Sequence, residues 1–184
     1  MKKNMSDQYD NVSKFFHWIT AITVVTAFIL GPEDFGELLR DGIDPSTRNA
    51  IVWHESLGIF VFTLTIVRLF WLALRPATPR LEMSTSMKVL SRLMHFALWG
   101  LLLALPITAL LTLGTESHPL TLLGGFRIDE LPFSTNAYLS ELTDWGDLHK
   151  LFGNLIMWLA GIHALAALYH HFRLRDKVLQ SMLP

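Results

Sequence analysis

Four long apolar runs separated by polar segments dominate the chain, at about residues 15–30, 50–74, 89–113 and 148–169. A helix rises about 1.5 Å per residue and the hydrocarbon core of a bilayer is about 30 Å thick, so runs of this length can cross it. None of the four alternates apolar and polar residues as a barrel strand would, and only helices and closed barrels satisfy their backbone in lipid. The pattern predicts an all-α membrane protein: a four-helix transmembrane bundle forming one domain over residues 1–184. Pro106 is expected to bend the third helix and Arg75–Pro76 to end the second.

The polar segments set an orientation. Lys2, Lys3 and Lys14 precede the first run, Arg75, Arg80, Lys88 and Arg92 lie between the second and third, and Arg173, Arg175 and Lys177 follow the fourth. These segments share one side, which the positive-inside rule makes cytoplasmic, with both termini inside. The opposite loops hold Arg40, Arg48, Arg127 and Lys150 against Glu33, Asp34, Glu37, Asp41, Asp44, Glu55, Glu116, Asp129, Glu130, Glu141, Asp144 and Asp147. Four bases face twelve acids there, a net of −8. A cleaved signal peptide is not expected, because a polar stretch precedes the first run and no small-residue cleavage site follows it. The implied place is the bacterial inner membrane, with lipid as the solvent of the bundle. Trp18, Trp53, Trp71, Trp145 and Trp158 read as interfacial anchors.

Composition narrows the chemistry. The absence of cysteine removes disulfides, thiolate metal sites, iron–sulfur clusters and covalently attached c-type haem. The basic residues are strewn along one membrane side and suggest no nucleic-acid binding.

Histidine is then the informative residue. His149 and His163 are fourteen residues apart on the fourth run, about 21 Å of rise and nearly four whole turns, so both project from one face at opposite depths. His17 lies at the inner end of the first helix and His54 at the outer end of the second. Two pairs follow, His54 with His149 outside and His17 with His163 inside. Facing helices of a bundle commonly build cofactor sites in this way. Two imidazoles saturate a haem iron and favour electron transfer. Interhelical hydrogen bonding as packing glue is the alternative, but polar groups at depth are costly and usually functional. Zinc is disfavoured: WHES at 53–56 lacks the second histidine of a zincin helix. Gly58, Gly153 and Gly161 stand near the ligands, as room for a flat macrocycle or as close helix packing.

Longer motifs carry a resemblance. FFHW at 15–18, WHESLGI at 53–59, VRLFW at 67–71, ALP at 104–106, HKLFGNLIMWLAGIHALAALYHHF at 149–172 and the closing RDKVLQSMLP resemble the bacterial di-haem cytochrome b561 proteins. The resemblance covers all four runs and is poorest in the outer loops. It implies two b-type haems with His17, His54, His149 and His163 as iron ligands. It also implies a quinone pocket beside the inner haem, to which His95 and His170 contribute, with ubiquinone as acceptor. A histidine can hydrogen-bond a quinone carbonyl and relay the proton that reduction requires; headgroup-facing histidines are the alternative, and His171 reads as a solvated neighbour.

Arg68, fourteen residues after His54, is placed either to fork a haem propionate or to snorkel to the inner surface. Glu55 reads as a solvated helix-end acid or a polar group at the haem edge.

Some members of the resembled family oxidise superoxide in the periplasm and pass the electron to ubiquinone. An anionic donor needs local positive charge. Lys150, beside His149, fits that role, with Arg48 and Arg127 as possible partners, although the acidic loops oppose it. The expectation is a transmembrane oxidoreductase moving electrons from a periplasmic donor, superoxide first among them, through the outer and inner haems to membrane quinone. The alternatives are a non-enzymatic cytochrome b subunit serving a periplasmic redox protein, and a haem-free membrane channel or structural protein.

Overall fold

The computed structural model describes residues 8–32, 35–75, 84–131 and 137–183. Lys2, Lys3, Glu33, Asp34, Pro76, Arg80 and Pro184 lie outside the described residues. Helices α1 (Asn11–Leu30), α3 (Asn49–Leu74), α4 (Thr85–Thr115) and α6 (Trp145–Tyr169) are the four long apolar helices. Between them lie two short helices, α2 (Phe35–Arg40) and α5 (Ala137–Leu142), and an antiparallel hairpin of β1 (Leu120–Leu122) and β2 (Phe126–Ile128).

The long helices begin earlier than the apolar runs, because capping residues extend them by a polar turn. Asp10 accepts the Ser13 N–H at 2.9 Å to open α1, Ser84 accepts the Met87 N–H to open α4, and Asp144 accepts the Asp147 N–H at 2.9 Å to open α6. Each cap satisfies a backbone donor that the first turn leaves spare. Pro106 sits inside α4 without ending it.

Helix α1 packs chiefly on α3, and α4 on α6, with α3 meeting α4 across the middle. The central core is Val61, Leu101, Leu102 and Ile156. Large apolar side chains such as Ile29, Phe70, Leu74, Phe96 and Trp158 instead face outward. A water-soluble fold would not present such a surface, whereas lipid requires it.

The two ends of the bundle differ. At one end Tyr9 N–H donates to Ser181 O at 3.1 Å and the Trp18 indole donates to Met182 O at 2.9 Å. We term this the inner end. At the other, outer end the hairpin lies over the start of α3. Glu55 Oε2 accepts the Thr121 N–H at 2.7 Å, and Ser56 Oγ accepts the Leu123 N–H at 2.9 Å. Glu55 is therefore engaged with the hairpin backbone and is not a solvated acid. Leu120, 4% exposed, joins Leu113 and Leu131 in a second core beneath the hairpin.

Candidate haem and quinone sites

Helix α6 brings His149 to the outer end and His163 towards the inner end. The rings of His54 and His149 lie edge-on to each other with centroids 6.0 Å apart. Those of His17 and His163 are 6.3 Å apart. Both pairs drawn from depth are thus assembled, each across two helices. Each pair offers two imidazoles from different helices, the donor set that would hold a b-type haem iron and suit it to electron transfer. The residues present fit a haem at both ends.

The outer pair is also held in the tautomer that a metal needs. His54 Nδ1–H donates to Ala27 O at 2.7 Å. That carbonyl is spare because α1 ends at Leu30 and the Gly31 N–H turns to Phe28 O instead. His149 Nδ1–H donates to Leu105 O at 3.0 Å, with Thr108 Oγ1 at 3.2 Å. With Nδ1 committed in each ring, Nε2 keeps its lone pair for a ligand bond. Gly31 has a role that composition did not reveal: a Cβ there would lie 3.2 Å from Phe28 O and 3.4 Å from the His54 ring.

A cavity opens between the outer rings, lined by Phe28, His54, Gly58, Leu105, Gly153 and Ile156 among others. A Cβ on Gly58 would meet nothing within 4 Å, and one on Gly153 only the Phe28 ring at 4.0 Å. Close helix packing therefore does not account for these two glycines; they border open space. Gly161 is exposed and belongs to the outward face.

The inner end holds a third ring. His95 lies 5.2 Å from His163 by centroids and places Nδ1 on Ser91 O at 2.6 Å. Among the described residues, no group of three or more His, Asp or Glu converges as a metal-ion site. Arg68 lays its guanidinium over the Trp99 ring, 4.8 Å from the centroid, a cation–π contact between α3 and α4. His170 pairs through Nδ1 with Asp176 Oδ2. His171 stacks edge-on with Phe172, and His118 with Phe35.

The outer cations separate. Arg127 is tied to Asp44 at 3.0 Å and to Asp129 at 2.8 Å, so it does not add free positive charge to Lys150. The Ser46 hydroxyl and then Arg127 hold the Asp44 carboxyl down to about 2. Lys150 is exposed, one residue beyond His149. The tryptophans divide as well: Trp71 donates to Ser13 Oγ and Trp145 to Leu139 O, while Trp158 lies in mid-helix and is 75% exposed.

Comparison with known proteins agrees with this architecture. The family model described as prokaryotic cytochrome b561 matches residues 8–184. Cytochrome b561 homolog 2 of Escherichia coli K12 is 29% identical over 182 residues, covering 98% of this chain and 93% of that protein. The probable superoxide oxidase CybB of Yersinia pestis is 26% identical over 185 residues, covering 98% of each. Cytochrome b561 homolog 1 of Escherichia coli K12 is 27% identical over 188 residues, covering 97% of this chain and 98% of that protein. Four membrane-length helices and a match along nearly the whole chain place this protein in the prokaryotic cytochrome b561 family, as a multi-pass inner-membrane electron-transfer protein that binds b-type haem.

Proposed function

We propose that the chain transfers electrons from a periplasmic donor to membrane ubiquinone, with superoxide the leading donor. His54 and His149 hold one b-type haem near the outer surface; His17 and His163 hold a second near the inner surface. When bound, the haems supply one-electron chemistry; everything else belongs to the chain. The Ala27 and Leu105 carbonyls orient the outer ligands. The mid-bundle core of Val61, Leu101, Leu102 and Ile156 keeps water out between the two sites. Arg68 sits on the His54 face of α3, where it can meet an inner haem propionate. His95 and His170 serve the quinone oxygens at the inner end. Lys150 guides an anionic donor to the outer end. The basic segments put the inner end, with both termini, in the cytoplasm.

The observation that carries this reading is the pair of facing histidine couples, at 6.0 Å and 6.3 Å, on four different contributions from three helices. The relative named as a probable superoxide oxidase supports the choice of donor. A second reading has its own support. The acidic outer loops and the neutralised Arg127 favour a cationic redox protein as donor, with the chain acting as its membrane cytochrome subunit.

Stopped-flow reduction of the purified protein separates them. With superoxide, Lys150→Glu is expected to slow reduction severalfold, more at low salt, because steering is screened as ionic strength rises. Equal rates for the wild type and the variant would remove the anion site and leave the protein-donor reading.

A further inference from the structure

Helix α6 and the residue that follows it carry a stripe at seven-residue spacing: His149, Ile156, His163 and His170. Seven residues make about two turns, so these side chains share a face. Ile156, 3% exposed, identifies that face as the interior one. His170 keeps helical backbone angles, φ −58° and ψ −43°, and so continues the stripe about 10 Å beyond His163. Its side chain is 15% exposed.

At this residue the backbone widens into a π turn over His170–Leu174 and reverses at Arg175, where φ is +55°. Such π segments recur at functional positions. The reversal brings Asp176 back onto His170 twice. The Asp176 N–H donates to the His170 carbonyl at 3.3 Å, and Asp176 Oδ2 accepts from the ring Nδ1. The second carboxylate oxygen accepts the Val178 N–H at 3.0 Å. The carboxylate cannot swing away from the ring without giving up that bond as well.

We propose that Asp176 is a positioning residue for quinone reduction: by accepting the His170 Nδ1–H it fixes the ring and its tautomer, so that Nε2 relays a proton to a quinone oxygen. This rests on the quinone reading above. Converting one quinone to one quinol takes two electrons, from two successive one-electron oxidations of the donor, and two protons, one on each carbonyl oxygen. His170, protonated at both ring nitrogens with Nδ1–H on Asp176, gives its Nε2 proton to one oxygen, is left as the neutral Nδ1–H tautomer, and is reprotonated at Nε2 from water at the inner surface. The other oxygen takes its proton from water at the inner surface. Asp176 neither gains nor loses a proton across the cycle. It differs from a purely structural tether because its contribution passes through one ring.

The test is a double-mutant cycle on the haem-loaded protein in liposomes, read as kcat and KM for a short-chain ubiquinone. His170→Ala is expected to lower kcat on the order of 100-fold, the usual size of a lost proton relay. Asp176→Ala should lower kcat about tenfold with both haem spectra unchanged. The double variant should be no slower than His170→Ala alone, because the two residues act as one unit. Asp176→Leu, which keeps the size but no acceptor oxygen, provides the same comparison should the alanine variant lose its haems. Additive losses, or wild-type turnover in the Asp176 variants beside a slow His170→Ala, would overturn the positioning role alone. Wild-type turnover in His170→Ala would overturn the quinone reading at His170 and the positioning role with it.

Discussion

His54 and His149 each spend one ring nitrogen on a carbonyl of a neighbouring helix, and both residues line the same cavity with the other nitrogen left for a ligand. The glycines beside them explain why the cavity exists. Gly58 borders open space, so a larger side chain there costs the bundle little strain but occupies the room a macrocycle would need. Gly58→Leu is therefore expected to fold and to keep the inner haem while losing the outer one, by reduced-minus-oxidised spectra. Gly100→Leu, at a site equally open but on the exposed face of α4, should keep both. Retention of both haems in the Gly58 variant would contradict the placement of the outer cofactor. His149 and His163 were legible because fourteen-residue spacing on a helix fixes face and depth together, and His17 and His54 because the orientation of the runs fixes their depths. Their carbonyl partners were not, since Ala27 and Leu105 carry no side-chain signal and become acceptors only once α1 meets α3 and α4 meets α6. Gly31 was missed for the same reason.

At the scale of elements, the apolar runs located all four long helices, because lipid leaves no other use for such segments. The ends were set by Asp10, Ser84 and Asp144, polar caps that an apolar pattern reads as loop. The outer hairpin also escaped a reading based on membrane spans. Its signal was local: Gly124 and Gly125, at φ +85° and +78°, stand between short apolar strands, the usual mark of a tight hairpin turn. Glu55 fastens this hairpin to α3. Removing its carboxylate leaves the Thr121 N–H without its acceptor, a loss of about 1–3 kcal/mol. Glu55→Ala should thus raise hydrogen exchange at the Thr121 amide markedly, while Glu55→Gln, which keeps an acceptor oxygen, should raise it little. Unchanged protection in the alanine variant would show that the hairpin is held by Leu120 and its core alone.

The whole molecule joins two equivalent-looking sites through one helix. His149 and His163 stand about 21 Å apart along α6 by helical rise, with buried Ile156 midway between them. The outer end adds a tied hairpin and an acidic surface; the inner end adds His95, Arg68 and the His170–Asp176 turn. In the proposed function that asymmetry separates a donor end from an acceptor end, a distinction that spacing alone could not supply. The proposed path needs two haems per chain, each on its own histidine pair. The haem-to-chain ratio of the purified protein tests this most directly. A ratio near two is expected for the wild type and near one for His149→Leu and for His163→Leu, each losing a spectrally different haem. A wild-type ratio near one, or the same haem lost in both variants, would contradict it.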